Sequence, residues 1–133
     1  MNPAWEELAE RFLMFSVRGC RLVDALPETR VARHVAGQLV RCCTSPGPNY
    51  REACAAESPR DFIHKLGVVL KELNETDFWL RFIIAAGLLP EKRVAELLDE
   101  CKQLANIVAQ SILTARKRAS KGSRKRTDRS KDE

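Results

Sequence analysis

The sequence predicts an all-α protein, an antiparallel up-down four-helix bundle with short connections. Two observations predict this fold. Apolar residues recur every three or four positions through four long segments, and no segment shows the strict alternation of a half-buried strand. Four of the six prolines stand where one of these segments begins or ends. The length of 133 residues suits one domain, and a hydrophobic content of 44% is typical of soluble globular proteins.

The first helix has the clearest apolar stripe. Asn2 is a suitable N-cap, Pro3 suits the first helical position, and Pro27 ends the segment. Between these residues, alternating spacings of three and four place one face of the helix against a core. The stripe comprises Trp5, Leu8, Phe12, Phe15, Gly19, Leu22 and Leu26.

The second helix is predicted to begin near Glu28 or Thr29, and its apolar stripe comprises Val31, Val35, Leu39 and Cys42. It then meets the stretch "SPGP" at residues 45–48. A proline inside a helix removes one hydrogen bond and clashes with the preceding turn, which costs roughly 3 kcal/mol. The second proline also biases the glycine before it away from helical dihedral angles. The residues alone leave two interpretations of this stretch, a distorted helix or an irregular loop.

The third and fourth helices have clear beginnings. Ser58 is predicted to cap the third helix, with Pro59 as its first residue and Gly87 near its end. Its stripe comprises Phe62, Leu66, Val69, Leu73, Leu80 and Ile83, and is broadened by Ile63, Leu70 and Ile84. The fourth helix is predicted to begin at Pro90, and its stripe comprises Val94, Leu97, Leu98, Cys101, Leu104, Ala105, Val108, Ile112 and Ala115.

Charge divides the chain into a bundle at residues 1–115 and a basic tail at residues 116–133. The bundle has a net charge of −1 and the tail one of +6. Because the tail has no apolar face, its composition predicts disorder. Clustered cations release counterions when they meet phosphates, so RNA or DNA is the predicted ligand. A solubilising tail without a ligand remains the alternative. The predicted contact residues are Arg116, Lys117, Arg118, Lys121, Arg124, Lys125, Arg126 and Arg129.

Cysteine and histidine positions do not indicate a catalytic or metal site. Adjacent cysteines at Cys42 and Cys43 lack the spacing of a zinc site, and neither histidine completes a known pattern. Cysteine is a common small core residue, and core packing is the favoured role for these two, Cys54 and Cys101. We therefore expect no cofactor, no metal and no enzymatic activity.

Two stretches, "RCCTSPGPNYREA" and "SPRDFIHKLGVVLKELNETDFWL", resemble the bacterial four-helix-bundle family first noticed in intervening sequences of large-subunit ribosomal RNA genes. The resemblance covers roughly residues 4–115. It rests on short motifs that place an arginine, a serine, an asparagine and an acid before a Ser-x-x-acid-Phe helix start. The matching positions are Arg41, Ser45, Asn49, Glu52, Ser58, Asp61, Phe62, Leu66, Glu75, Asp77 and Leu80.

The resemblance implies several properties of this chain. The second helix should continue through the proline stretch, kinked near Ser45 and Pro48 and helical again over residues 49–56. The chain should form homo-oligomers, most simply pentameric rings. One branch of the family, the accessory proteins of diversity-generating retroelements, works with a reverse transcriptase and nucleic acid, which implies both as partners here. This chain departs from the family pattern in having two prolines at the kink and a long basic tail.

Acidic residues on the third helix suggest a structural polar network. Asp77 falls on the seam marked by Leu73 and Leu80, where an apolar residue is expected. A buried carboxylate needs a partner, which Arg41 or a backbone donor near the kink is expected to supply. A network of this kind can fix helix register. Its predicted members are Arg41, Asn49, Glu52, Glu75 and Asp77.

The aromatic residues of the third predicted helix indicate packing, not nucleic-acid contact. Phe78, Trp79 and Phe82 are expected in the core or in a subunit interface rather than in base stacking.

The sequence has no pattern typical of a membrane span. The longest apolar run spans residues 78–89 and contains Arg81, so it is too short and too charged to cross a membrane. The acidic N-terminus does not have the pattern of a signal peptide, so a cytoplasmic location without membrane contact is expected. The sequence thus favours a non-enzymatic, homo-oligomeric nucleic-acid-binding protein, with a structural or protein-interaction module as the alternative.

Overall fold

The computed structural model describes the backbone of residues 2–132 and the side chains of residues 2–127. Its secondary structure is helical, and no strand occurs in the described part of the chain. The five helices are α1 (Pro3–Ala25), α2 (Arg30–Thr44), α3 (Pro46–Cys54), α4 (Pro59–Ala85) and α5 (Glu91–Asp132). Because α2 and α3 together form the second predicted helix, the predicted four-helix bundle is confirmed.

Local side-chain caps begin three of the helices. The Asn2 Oδ1 atom accepts a hydrogen bond from the Ala4 amide at 2.9 Å, and the Ser58 Oγ atom accepts one from the Asp61 amide at 3.1 Å. Both caps were predicted. The Thr29 Oγ1 atom caps α2 in the same way, at 3.1 Å from the Ala32 amide. These oxygens satisfy first-turn amides that have no acceptor within their own helix.

The proline stretch is a kink, as predicted, but the helix resumes earlier than residue 49. Ser45 has helical dihedral angles, with φ −81° and ψ −34°, and α3 begins directly after it at Pro46. Amides in the first turn of a helix have no acceptor in that helix, so Pro46 and Pro48 remove no bond from α3. The predicted helix over residues 49–56 is therefore wrong at both ends, since α3 spans Pro46–Cys54.

Four helical rods pack around one apolar core. Helix α4 lies between α5 and the α2–α3 rod, and α1 closes the bundle against α2, α3 and α5. Phe12, Leu39, Leu66 and Leu104 are fully buried where the four rods meet. Val31 departs from the predicted core, because its side chain is 53% exposed and the neighbouring residue Ala32 is buried instead.

The helix ends near residue 87 follow the prediction closely. Helix α4 ends at Ala85, and Gly87 adopts a φ of 68°. A positive φ of this size favours glycine, which has no Cβ to clash with the preceding carbonyl. Helix α5 then begins at Glu91, one residue after the predicted start at Pro90.

A close approach joins α1 to α2 at Gly19. A Cβ atom added at this glycine would lie 2.5 Å from the Cys43 Sγ atom, closer than real Cβ contacts allow. Gly19 therefore holds its place on the buried stripe of α1 because it lacks a side chain. The Ser16 Oγ atom, one turn earlier, donates a hydrogen bond to the Cys43 carbonyl at 2.9 Å and bridges the same two helices.

Helix α5 is the longest element, with 42 residues against 27 in α4 and 23 in α1. Its last 17 residues, 116–132, cover most of the predicted tail and continue the helix in the structure. The side chains of residues 116–127 are all exposed, so none of these described side chains belongs to the core. Its flexibility in solution stays a prediction.

Candidate nucleic-acid interface

The C-terminal extension of α5, residues 116–132, presents its cations to solvent. Seven of the eight predicted contact residues have described side chains, and all seven are exposed. None of them forms an ion pair with a carboxylate in the described part of the chain. The seven are Arg116, Lys117, Arg118, Lys121, Arg124, Lys125 and Arg126; the side chain of Arg129 lies outside the described set. Their arrangement can attract phosphates without first breaking an ion pair to a carboxylate of the described residues.

The predicted polar network is divided into separate bridges from the α2–α3 rod to α4. Arg41 pairs with Glu75, and its guanidinium pKa is raised by the hydrogen bond to that carboxylate. Asn49 Nδ2 donates to Glu72 Oε1 at 2.8 Å, a partner that the sequence did not indicate.

Glu52 makes a third bridge, since its Oε2 atom lies 3.2 Å from the Nζ atom of Lys65. The side chains of Glu52 and Lys65 are 60% and 32% exposed, so this pair lies at the surface. Four of the five predicted residues thus take part in contacts between the same two rods, but these contacts are separate and do not form one connected cluster.

Asp77 has a different partner from the one expected. Its Oδ1 atom accepts a hydrogen bond from the Nε atom of Arg81, one turn further along α4, at 2.7 Å. The expected contact with Arg41 is wrong because Asp77 lies two residues beyond Glu75, about 200° around the helix. Asp77 instead faces a shallow pocket between α4 and α5, which Cys101 also lines.

The sequence did not reveal two other polar contacts. Arg11 on α1 donates to Glu100 on α5, from Nε to Oε2 at 3.2 Å and from Nη2 to Oε1 at 2.5 Å. These residues are 89 positions apart, and no local spacing relates them. Thr76 is fully buried and donates from Oγ1 to the Glu72 carbonyl at 2.8 Å. Thr76 lies on the apolar stripe between Leu73 and Leu80, and this position could have predicted that its side chain is buried.

Burial raises the pKa of four of the five cysteine thiols. Cys42, Cys43 and Cys101 are buried, Cys54 is half-buried, and all four are free thiols. Burial raises the pKa of Cys43 to about 12 and that of Cys101 to about 12, so both stay protonated at neutral pH. The thiolate is the form that attacks substrates and binds metals. No group of three or more histidine, cysteine or acidic side chains that could hold a metal occurs among the described residues.

Three aromatic side chains of α4 form a partly exposed surface that we term the aromatic patch: Phe78, Trp79 and Phe82. Phe78 is 56% exposed, and its ring centroid lies 5.0 Å from that of Trp79. His34 of α2 contacts the edge of Trp79 at 5.8 Å between centroids, whereas His64 is exposed elsewhere on α4. The patch packs against the core on one side and faces solvent on the other.

Comparison with known proteins identifies the bundle. The model of the family described as 23S rRNA-intervening sequence protein matches residues 7–110. The chain belongs to this family. The match includes the kink, the bridges to α4 and the aromatic patch, and it ends before the C-terminal extension.

A solved structure supports the family assignment. The chain is similar to a protein of unknown function from the S23 ribosomal protein family of Bacteroides thetaiotaomicron, with 30% sequence identity and a TM-score of 0.74. The alignment covers 79% of this chain and 97% of that one. None of the curated proteins matches the sequence. In the described part of the chain, no helix is long and apolar enough to cross a membrane.

Proposed function

We propose that this member of the 23S rRNA-intervening sequence protein family is a non-enzymatic, homo-oligomeric protein that binds nucleic acid through its basic C-terminal extension and adjacent basic surface. The observation that carries the proposal is the charge division, with +6 on residues 116–133 and −1 on the rest. The described cations of the extension are exposed and make no ion pair with a described carboxylate. Phosphate binding to such a segment is driven by counterion release and shows little base preference.

RNA is the first ligand to test, because the family name refers to 23S rRNA. The family match itself ends at residue 110, so the binding role of the extension rests on its charge and exposure. A reverse transcriptase is the partner that the resemblance to retroelement accessory proteins implies, and it rests on that resemblance alone.

The aromatic patch supports self-association. Phe78 is 56% exposed, and Val31, one helical turn before the His34 that contacts Trp79, is 53% exposed. Exposed aromatic residues grouped with aliphatic ones are typical of subunit interfaces. We assign this surface to a second copy of the chain, in a ring that the family resemblance suggests is a pentamer. The same surface also supports the second candidate function, a protein-interaction module that does not bind nucleic acid.

Deleting residues 117–133 tests the role of the extension. Fluorescence anisotropy with labelled single-stranded RNA and DNA, repeated at several salt concentrations, would compare the full chain with the truncated one. The truncated chain should bind more weakly and with a flatter dependence on salt, since fewer phosphates are neutralised.

Two results would contradict the proposal in different ways. Equal binding by both chains would move the contact surface to body cations such as Arg51, Arg60, Lys65 and Lys71. Absence of binding by either chain at low salt would favour the interaction module.

A further inference from the structure

An open groove lies at the end of the bundle where α5 extends past its neighbours. We term it the end groove; its volume is about 1210 Å³. One wall is the face of α5 from Asn106 to Arg126. The other walls are Trp5 in the first turn of α1, the end of α3, the connection after it and the first turn of α4. The part of the α5 wall from Arg118 to Arg126 belongs to the C-terminal extension, so the extension lengthens the groove beyond the end of the core.

A flat aromatic surface lines the end groove. The rings of Trp5 and Phe62 are stacked, with 6.2 Å between centroids and an interplanar angle of 22°. Trp5 is 38% exposed although it belongs to the apolar stripe of α1. An indole that is stacked on one side and open on the other can accept a further planar ring.

The charge around the end groove is positive. Arg60 contributes from the first turn of α4, and Arg118 and Arg126 contribute from α5. None of the three pairs with a carboxylate among the described side chains, and Glu57 is the one acid in the lining. Arg118 and Arg126 lie about 12 Å apart along the helix axis. Small residues between them, Ala119, Gly122 and Ser123, leave the groove open.

We propose that the end groove binds a single-stranded nucleic acid, with one base stacked on Trp5 and the backbone phosphates held by Arg118 and Arg126. The inference rests on the proposed function and names its site. A single strand fits because its bases are free to stack on an aromatic ring, whereas those of a duplex are already stacked on one another. Amides at Asn106 and Gln110 line the same groove and can hydrogen-bond to base edges.

A fluorescence experiment tests the stacking contact. In a Trp79→Phe background Trp5 is the sole tryptophan, because the chain has two. The probes are single strands of RNA or DNA of about 12 nucleotides, within the range of known single-strand sites. Binding should quench Trp5 emission. Trp5→Ala should weaken single-strand binding about tenfold and leave inorganic polyphosphate binding unchanged, while Trp5→Phe should restore most of the affinity.

A matched pair of charge variants tests the phosphate contacts. Arg118→Gln/Arg126→Gln removes two cations that line the groove, and Lys117→Gln/Lys125→Gln removes two that do not. The first variant should lose several-fold more affinity than the second, because its two arginines line the groove. Both variants remove the same net charge, so a difference between them reports the position of the cations and not their number. Thermal melting of each variant would confirm that the bundle is intact.

The outcomes distinguish a failure of the groove proposal from a failure of the proposed nucleic-acid binding. Equal losses in both charge variants, or unchanged Trp5 emission on saturation, would overturn the groove and leave nucleic-acid binding by the extension in place. Absence of binding by the wild-type chain would overturn both. Polyglutamate that competes for the groove with the same dependence on Trp5 would show that an acidic peptide is the ligand instead.

Discussion

Gly19 is the residue where the packing of α1 against α2 is most sensitive to a single methyl group. A Cβ there would lie 2.5 Å from Cys43 Sγ, and Cys43 is fully buried. Gly19→Ala should therefore lower the free energy of unfolding by about 1–2 kcal/mol, because the overpacking outweighs the helix propensity of alanine. Urea unfolding followed by circular dichroism would measure the change.

Gly37 is the matched control, because a Cβ at that position would meet no atom within 4 Å. Gly37→Ala should stabilise the protein by about 0.5–1 kcal/mol through helix propensity alone. If the two glycine variants behaved alike, the close approach of α1 and α2 would not be present in solution.

Two carboxylates differ in what they contribute to stability. Asp77 pairs with Arg81, which is 59% exposed, whereas Glu100 is 18% exposed and bonds to Arg11 on another helix. Asp77→Ala should cost no more than about 0.5 kcal/mol, the usual value of an exposed pair within one helix. Glu100→Ala should cost about 1–2 kcal/mol, because it removes both carboxylate acceptors of the half-buried Arg11 guanidinium and leaves the longer hydrogen bond to Gln103 Oε1, at 3.3 Å. Chemical denaturation of both variants would rank them, and the reverse order would contradict these assignments.

At the scale of elements, the caps and the kink show which structural features can be predicted from a short stretch of sequence. The caps at Asn2 and Ser58 were predictable because a cap depends on residues within one turn. The restart of the helix at Pro46 was missed because the prolines were judged as interior residues, although they occupy a first turn. The partner of Arg11 was missed because only the packed bundle brings α1 beside α5.

Proline substitutions test this view of the kink. Pro48→Ala should change the free energy of unfolding by less than about 1 kcal/mol, since the first turn of α3 does not use the amide that proline lacks. Val40→Pro, at a partly exposed position inside α2, should cost about 3 kcal/mol or more. Thermal or urea unfolding would compare the two, and a large loss in Pro48→Ala would show that the proline itself is required.

At the scale of the whole molecule, the proposed self-association through the aromatic patch predicts the mass in solution. Light scattering should give a multiple of the 15.1 kDa chain, most simply five, at micromolar concentration. Phe78→Glu should dissociate the assembly, because a charge would have to be buried without a partner. Leu113→Glu is the control, since Leu113 is also exposed but lies on α5. A wild-type mass of a single chain would contradict self-association.

Under the proposed function, phosphate binding to the extension should also shift a helix–coil equilibrium. Lys117, Lys121 and Lys125 follow one another at intervals of four residues, so like charges repel along one side of the helix. Among the described side chains of residues 116–127, none is buried to offset that repulsion. Neutralisation by bound phosphates should remove this repulsion, so we expect the far-ultraviolet circular dichroism of the helix to strengthen in proportion to the fraction of chains that carry nucleic acid.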